Sequence, residues 1–284
     1  MAAHREQFAV KVMAGVLAVS ASGFYRWRTR GASARERANR ELRTTIRAIH
    51  ADSRSTYGVR RVHAALGQRQ VVCNRKRVAR LMRLDGLQGR GRGHRRPRTT
   101  ASDPTLAVAP NLLARDFSAR QPNEKWLADI TYIDTLEGFS YLAAVLDPFS
   151  RRVVGWALAD HLRTELVEDA GCMALTQRRP LHDLIHHSDQ GSQYASDDYQ
   201  ALLEKHGITV SMSRTGDCYD NAMMESFWGT LKAECATAPF ASRAAAREAI
   251  FEFIEVWYNR QRLHSALNYT SPAQFERLHA LTIF

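Results

Sequence analysis

Apolar residues recur at helical spacing through the first third of the chain, where helices are predicted at 33–51, 59–67 and 75–83. The apolar positions lie three or four residues apart and form one stripe in each helix. These positions are Leu42, Ile46, Ile49, Val59, Val62, Leu66, Val78, Leu81 and Met82. Asn74 precedes the third helix and is a favourable N-cap residue. The pattern predicts an all-α domain, which follows less regular helical segments in residues 1–32.

Downstream of residue 122 the pattern changes to runs of β-branched and aromatic residues, which are typical of strands. The predicted elements, in order, are strands at 126–133, 139–146 and 152–158, a helix at 164–175, a strand ending at Asp189, a helix at 196–207, a strand at 208–212 and a helix from Asn221. Three antiparallel strands followed by alternating helices and parallel strands are the order of a ribonuclease-H-like fold. We therefore expect an α/β core with a mixed five-stranded sheet and flanking helices.

The two patterns divide the chain into five predicted segments. They are an N-terminal helical segment (1–32), a helix-turn-helix domain (33–88), a basic flexible linker (89–122), the ribonuclease-H-like core (123–240) and a C-terminal helical extension (241–284). The extension begins with a predicted helix at 243–258, whose apolar side chains point inward. The expected fold class is α/β, with an all-α domain ahead of the sheet.

Charge is divided unevenly between these segments. Residues 1–100 carry 24 Lys/Arg and 5 Asp/Glu, whereas residues 101–284 carry 16 and 24, and the whole chain has a net charge of +11. A basic half joined to an acidic half indicates a polyanion-binding module attached to a domain with another function. Double-stranded DNA is the favoured partner. An anionic membrane is the alternative, but the basic helices lack the broad apolar face of an interfacial helix.

The third predicted helix is the most basic. Its apolar stripe leaves the remaining faces to Arg75, Lys76, Arg77, Arg80 and Arg83. Three short helices with the most basic one last indicate a helix-turn-helix, whose final helix enters a major groove. A small bundle with a solvated Arg face is the alternative. Because Arg binds phosphate and guanine in bidentate fashion, the composition favours DNA.

The predicted linker is basic and rich in glycine. Arg90, Arg92, Arg95 and Arg96 lie among glycines and one proline, a composition that cannot build a packed core. We interpret this segment as one that follows a phosphate backbone, with a plain solvated tether as the alternative.

Cysteine content and hydropathy indicate the cellular compartment in which the protein works. The four cysteines form no CxxC pair, so neither a zinc knuckle nor a disulfide framework is indicated. No apolar run reaches the ~18 residues that a membrane span needs, and the N-terminus has no cleavable signal pattern. We expect a soluble protein of the reducing cytoplasm that has no membrane partner.

Asp189, Glu225 and Lys232 are the first candidate chemical residues. Asp189 ends a short strand, and Glu225 follows after 35 intervening residues, seven positions before Lys232 on a predicted helix. Seven residues are almost two helical turns, so Glu225 and Lys232 project from the same side. Two carboxylates and a cation facing one point suggest a divalent metal beside a phosphate. The spacing alone is weak evidence, because an exposed Glu and Lys on a solvated helix face are common.

The sequence around these residues is more specific than their spacing. The stretches at 187–194 and 220–234 resemble motifs of bacterial insertion-sequence transposases with a retroviral-integrase-type core, the DDE superfamily. The resemblance implies a third carboxylate on the first strand of a hairpin, and Asp129 meets that demand. A polar residue on the inward-facing side of that strand needs a partner, which a metal would provide. The likeness extends over about residues 33–275.

The resemblance also implies an activity. Asp129, Asp189 and Glu225 would be the catalytic residues and the ligands of two Mg²⁺ ions, for which Mn²⁺ could substitute. A strand is cut to expose a 3′-hydroxyl, and that hydroxyl then attacks a second phosphodiester. Lys232 would hold the transposon-end DNA near the metals. The chain is thus predicted to be a DNA transposase, a polynucleotidyl transferase that binds insertion-sequence ends and target DNA.

The remaining expectations concern contacts and partners. Gln193 and Asn221 flank the carboxylates and are candidates for DNA contact or for support of the metal ligands. His264 is a further candidate for DNA contact, although a hydrogen-bonded structural histidine is the commoner role, as for His186 and His187. The family implies a homo-oligomer on paired ends in the bacterial nucleoid. The working protein is either this chain, with an upstream-frame protein as partner, or a longer frameshift fusion.

Three other functions share some of these features. A nuclease of the same fold would only hydrolyse DNA, and the basic domain with Lys232 argues against it. A sequence-specific DNA-binding regulator with an inactive core is disfavoured because all three carboxylates are present. A glycosidase with two carboxylates would explain neither the basic domain nor Lys232.

Overall fold

The computed structural model describes residues 1–91, 109–180, 183–214 and 218–282. Its first part is helical and comprises α1 (Val10–Val16), α2 (Ala21–Thr29), α3 (Ala34–Asp52), α4 (Val59–Gln68) and α5 (Arg75–Leu84). Ser33 and Glu36 form a capping box at the start of α3, and the Asn74 side chain accepts the Lys76 N–H at the start of α5. The three helices predicted from the apolar stripes are therefore confirmed.

Helices α3, α4 and α5 form a three-helix bundle that buries these stripes. Ile46, Val62 and Val78 are fully buried at its centre. The end of α5 is tied to α3 because Asp85 accepts hydrogen bonds from Arg43 and Arg47. These two guanidinium groups lower the pKa of Asp85 to about 2. The bundle thus holds its most basic helix in a fixed orientation.

Five strands form one mixed sheet: β1 (Lys125–Thr135), β2 (Gly138–Asp147), β3 (Arg152–Ala159), β4 (Ile185–Ser188) and β5 (Thr209–Met212). The helices around and after it are α6 (Thr164–Arg178), α7 (Asp197–Lys205), α8 (Ala222–Glu234), α9 (Arg243–Phe251) and α10 (Pro272–Thr282). The order across the sheet is β3-β2-β1-β4-β5. The pairs β1–β2 and β2–β3 are antiparallel, whereas β1–β4 and β4–β5 are parallel. The predicted ribonuclease-H-like α/β core is therefore confirmed.

Alternate residues of β1 point to opposite faces of the sheet. Trp126 and Ala128 belong to the apolar core that also includes α6 and α7. Leu127 and Ile133 belong to a second core, which is shared with α8, α9 and the three-helix bundle. Asp129 has the same parity as Leu127, so it projects toward α8.

The packing of α6 on the sheet depends on one glycine. A Cβ atom added at Gly155 of β3 would lie 2.2 Å from the Ala170 carbonyl oxygen and 2.7 Å from the Ala174 nitrogen, both in α6. Both neighbours are backbone atoms, which cannot rotate away. The helix therefore approaches the sheet to a distance that only glycine permits.

The C-terminal part departs from the single helix predicted at 243–258. Helix α9 ends at Phe251, and the chain continues as a π-helix from Glu252 to Tyr258. The inward positions stay buried, because both helix types carry the same apolar side chains to the core over so short a run. Asn259 then exchanges two hydrogen bonds with the backbone of Val153, at 3.0 and 2.9 Å.

The three-helix bundle packs directly against this C-terminal part. The Leu263 N–H donates to the Tyr57 hydroxyl at 2.7 Å, and Arg61 Nε donates to the Leu263 carbonyl at 2.9 Å. Gln68 also donates to the Tyr269 carbonyl at 2.8 Å. Since one apolar cluster continues from the bundle to the sheet, the bundle and the α/β core share part of their interior.

Half of the predicted basic linker, including Arg92, Arg95 and Arg96, lies outside the described residues. Arg90 is described and exposed; its backbone N–H donates to the Thr56 carbonyl at 3.1 Å. Within the described ranges, no helix combines the length and the apolar character needed to cross a membrane.

Candidate active site and nucleic-acid interface

Three elements bring the predicted carboxylates to one region. Asp129 lies in the middle of β1, and Asp189 directly follows β4, the parallel neighbour of β1. Glu225 lies in the first turn of α8. The sheet order thus places two of the carboxylates on adjacent strands, and the helix brings the third toward the face from which Asp129 projects.

Asp129 is half-buried and accepts two hydrogen bonds. Its Oδ1 accepts the Ile130 N–H at 2.8 Å, and its Oδ2 accepts the Trp228 Nε1–H at 2.9 Å. Burial, followed by the negative charge of Asp189, raises the pKa of Asp129 to about 7, and the charge of Glu225 adds to this rise. The two hydrogen bonds act in the opposite direction but are outweighed. Asp129 is therefore a half-buried carboxylate on which the negative charges of Asp189 and Glu225 act.

The other two carboxylates differ from each other in their surroundings. Asp189 Oδ1 accepts the Gly191 N–H at 3.0 Å, in a tight turn just beyond β4. A Cβ atom at Gly191 would lie 3.0 Å from the same oxygen, so this turn leaves little space for a side chain. Glu225 is exposed on α8.

The kind of side chains present fits a hard divalent cation, which prefers carboxylate oxygens. A cation would also offset the repulsion that raises the pKa of Asp129. However, the described part of the chain contains no group of three or more His, Cys, Asp or Glu side chains arranged to hold a metal ion. The charges of Asp189 and Glu225 therefore act on Asp129, and one Asp129 oxygen accepts a hydrogen bond from Trp228.

Lys232 lies on the same side of α8 as Glu225, as its spacing predicts. Its ammonium sits 4.1 Å from the centre of the Tyr132 ring, in a cation–π contact. Burial lowers the pKa of Lys232, whereas the charges of Asp134 and Asp129 raise it. The ammonium thus lies half-buried against β1, where the charges of Asp134 and Asp129 act on it.

Two predicted contact residues have structural partners. Asn221 stands at the N-cap of α8, but its side chain does not cap the helix; its Nδ2 donates to the Ala128 carbonyl of β1 at 3.3 Å instead. Gln193 donates from Nε2 to the Leu162 carbonyl at 2.8 Å. Asn221 is buried, and it links the start of α8 to the strand that carries Asp129.

His186, His187 and His264, the histidines considered in the sequence analysis, are all buried. His186 Nε2 is 2.9 Å from the Tyr199 hydroxyl, and His187 Nδ1 is 2.9 Å from Ser211 Oγ, as expected of structural histidines. His264 packs edge-on against Tyr258, with ring centres 4.9 Å apart. Its Nε2 has no hydrogen-bond partner among the described residues.

The basic side chains of α5 form an accessible surface. Arg75, Lys76, Arg80 and Arg83 are exposed, and Arg77 is half-buried with its Nε donating to Asn39 Oδ1 at 2.9 Å. Among these described side chains, only that of Arg77 forms a hydrogen bond to another helix. The other four are placed to meet a ligand rather than to stabilise the bundle.

Sequence reasoning did not identify Trp228 and Tyr132 as parts of the site. Trp228 is apolar and lies on a helix, so the pattern alone assigns it to the core. The one available signal was its distance of three residues from Glu225, which brings it near the same region on a helix. Tyr132 gave no such signal, because its contact with Lys232 joins residues far apart in the chain.

Family models match most of the chain. The integrase core domain model matches residues 119–218, and a second integrase core domain model matches residues 206–272. The HTH-like domain model matches residues 36–96. These ranges contain the sheet, α8, α9 and nearly all of the three-helix bundle.

Several curated proteins are similar over nearly their whole length. The 31 kDa protein of insertion element IS600 from Shigella sonnei is 44% identical, over 95% of this chain and 99% of its own. Transposase InsF for insertion sequence IS3A of Escherichia coli (strain K12) is 41% identical over 96% of both chains. The transposase for insertion sequence element IS904 of Lactococcus lactis is 42% identical, over 84% of this chain and 94% of its own.

Solved structures are similar to this chain at lower identity. The HTLV-2 integrase catalytic core domain in complex with magnesium is 17% identical over 56% of this chain and 99% of its own, with a TM-score of 0.42. The simian T-cell lymphotropic virus intasome in complex with PP2A regulatory subunit B56 gamma is 15% identical over 81% of this chain and 74% of its own, with a TM-score of 0.44.

The sheet topology and the matched models define a class: an integrase-type core preceded by an HTH-like domain. Near-full-length similarity to insertion-sequence transposases narrows that class. The chain belongs to the family of insertion-sequence transposases that includes those of IS3.

Proposed function

We propose that this chain cuts DNA at the ends of an insertion sequence and joins those ends to target DNA, with Asp129, Asp189 and Glu225 as the catalytic carboxylates. The observation that carries the proposal is the coupling at Asp129, where Asp189 and Glu225 both raise the pKa of a half-buried carboxylate. Carboxylates that repel one another are typical of a functional site, because such an arrangement does not stabilise the fold.

The three carboxylates would hold divalent metal, with Mg²⁺ as the expected ion and Mn²⁺ as a substitute. When bound, the metal ions supply charge stabilisation for phosphoryl transfer. Asp129 is oriented by Trp228 and the Ile130 N–H, and Asp189 by the Gly191 N–H. Glu225 is exposed, so it is the carboxylate that has most freedom to move toward the other two.

The basic surface of α5 would bind DNA. Four of its side chains are exposed, and the bundle fixes the helix by burying its opposite stripe. In a helix-turn-helix the last helix enters the major groove, where Arg contacts phosphate and guanine. The element's terminal repeats would be read there, while the carboxylates act on the adjoining strand end.

An assay of end joining tests this function. The purified chain is incubated with a labelled duplex that ends in the terminal repeat of its own element and with a supercoiled plasmid. With Mg²⁺ we expect labelled plasmid as product, and with EDTA no reaction. Shortened duplex without joined plasmid would indicate a nuclease, and DNA binding without either product would indicate a regulator with an inactive core.

A further inference from the structure

A cavity of about 70 Å³ opens where the three-helix bundle, the β2–β3 turn, α8 and the C-terminal segment meet. Three of its lining side chains are arginines: Arg61 from α4, Arg151 from the β2–β3 turn and Arg262 from the C-terminal segment. None of the described residues that line it carries a carboxylate. The cavity therefore concentrates positive charge from three separate parts of the chain.

The three arginines differ in how they are held. Arg262 is buried and paired with Glu234, with N–O distances of 2.6 and 2.8 Å. Arg61 donates from Nε to the Leu263 carbonyl at 2.9 Å, which fixes its guanidinium at the cavity. For Arg151, the described part of the chain offers no ion-pair partner. Arg151 is thus the cation with most capacity to bind a ligand.

The same positive charges affect the pKa of His264, which also lines the cavity. The histidine is 93% buried, and its Nε2 lacks a hydrogen-bond partner within the described residues. Burial lowers the pKa of His264 well below its usual range, and the charges of Arg262, Arg61 and Arg151 lower it further. A buried polar atom without a partner is costly unless a ligand or water satisfies it.

The size and lining of the cavity fit a phosphate group. About 70 Å³ is several times the ~15 Å³ that one water requires. Ser226 and Ser265 add hydroxyl groups around the arginines, whereas the Thr230 hydroxyl donates to the Ser226 carbonyl at 3.0 Å. Guanidinium forks and hydroxyls are the donors that bind tetrahedral oxyanions, and a cavity without carboxylates would not repel one.

The cavity lies away from the catalytic carboxylates. Its lining residues on α8 are Met223, Ser226, Phe227 and Thr230, which share one face of the helix. At 100° per residue, this face points about 160° away from the mean direction of Glu225 and Lys232. A phosphate bound there cannot be the one at which the carboxylates support cleavage and joining.

We propose that this cavity binds one backbone phosphate of DNA, at a point separate from the cleavage site. The proposal rests on the proposed function, because it takes DNA as the ligand. A phosphate held between α4 of the bundle and α8 of the core would fix the bound duplex relative to the carboxylates. Arg151 is the principal contact, and Arg61, Arg262 and His264 complete the pocket.

The test compares Arg151→Gln with Arg120→Gln. Arg120 is 95% exposed and paired only loosely, at 3.6 Å, with Glu124, so its loss changes the net charge equally without affecting the cavity. Affinity for a terminal-repeat duplex is measured at several salt concentrations in EDTA. Loss of one phosphate contact should reduce the slope of log affinity against log salt by about 0.9 in Arg151→Gln, and by nothing in Arg120→Gln.

A second variant and a second ligand complete the test. Ser265→Asp places a carboxylate at an exposed position of the cavity rim and should weaken DNA binding as Arg151→Gln does. Because neither residue contacts the carboxylates, the Mg²⁺ concentration that gives half-maximal joining at saturating DNA should match that of the wild type. Thermal midpoints are also measured with inorganic phosphate for the wild type, Arg151→Gln and Arg120→Gln.

The outcomes distinguish binding of a DNA phosphate at this cavity from binding of free phosphate and from a failure of the proposed function. A reduced slope in Arg151→Gln alone supports a DNA phosphate at this cavity. An unchanged slope overturns the proposal; if inorganic phosphate then stabilises the wild type but not Arg151→Gln, the cavity binds free phosphate instead. A wild-type protein that binds no DNA contradicts the proposed function itself, whereas wild-type joining with unchanged slopes contradicts the cavity proposal alone.

Discussion

Asp129 is a half-buried carboxylate that has two other carboxylates beside it. Two N–H donors orient it, yet burial and the charge of Asp189 still raise its pKa to about 7. An unfolded aspartate has a pKa of about 3.9. Between about pH 4 and 7, the folded protein therefore binds a proton that the unfolded chain does not. In the absence of metal, its stability should fall as the pH rises through that window and level off above it.

Asp129→Asn should remove this pH dependence, because an amide does not titrate. We expect the thermal midpoint of the variant, minus that of the wild type, to increase from pH 5 to pH 8 in EDTA. Differential scanning calorimetry at several pH values measures this difference. Asp197→Asn, at an exposed position in the first turn of α7, is the control and should show a constant difference. A constant difference for Asp129→Asn as well would show that Asp129 ionises normally.

Lys232→Ala should reduce joining without changing the metal requirement. Lys232 lies two turns from Glu225, about 10 Å along the helix axis, which is too far to share a metal but suits a phosphate beside the one attacked. At saturating DNA, the metal concentration for half-maximal joining should match the wild type, while joining at limiting DNA should fall. Lys205→Ala, at an exposed position in the last turn of α7, serves as control. A large shift in the metal requirement would contradict this role.

At the scale of elements, the sequence was sufficient to predict those helices and strands that a local pattern of residues determines. The apolar stripes located α3, α4 and α5, and runs of β-branched and aromatic residues located the strands along the chain. The sequence did not separate the π-helical turns at 252–258 from an α-helix, and it did not indicate α10. It also could not show that Trp228 holds Asp129, because that contact spans 99 positions and depends on how α8 packs on β1.

Gly155→Ala tests how closely α6 packs on the sheet. The added methyl group would overlap two backbone atoms of α6, so the helix must shift. We expect a loss of about 1–3 kcal/mol in the free energy of unfolding, the usual cost of overpacking. Urea denaturation measures it. Gly67→Ala in α4 is the control, since nothing lies within 4 Å of its added methyl, and it should be neutral or stabilising by about 0.5–1 kcal/mol. Equal stability of both variants would show that α6 is not tightly packed at this point.

At the scale of the whole molecule, the basic bundle and the acidic core share an apolar interior. Deleting residues 1–100 would expose that interior, so it is a poor test of where DNA binds. Charge removal on the surface of α5 avoids the problem, because those side chains are exposed and its buried stripe remains intact.

Replacing Arg75, Lys76, Arg80 and Arg83 together by Gln should flatten the salt dependence of DNA binding. Each phosphate contact that is lost should reduce the slope of log affinity against log salt by about 0.9. Fluorescence anisotropy over a range of salt concentrations measures the slope. Four exposed arginines elsewhere, Arg120, Arg163, Arg179 and Arg260, provide a control with the same change in charge. An unchanged slope in the α5 variant would move the main DNA-binding surface away from this helix.

The most direct measurement of the central claim is joining by Asp129→Asn, Asp189→Asn and Glu225→Gln, each at saturating DNA and Mg²⁺. Each variant keeps the shape of the side chain but removes the charge that would hold the metal, so we expect joining to fall at least about 100-fold, the scale of losing a principal electrostatic group. DNA affinity measured in EDTA should stay near that of the wild type. Glu204→Gln, at an exposed position in α7, should join normally. Near wild-type joining by any of the three variants would show that the substituted residue is not a metal ligand and would contradict the proposed carboxylate triad.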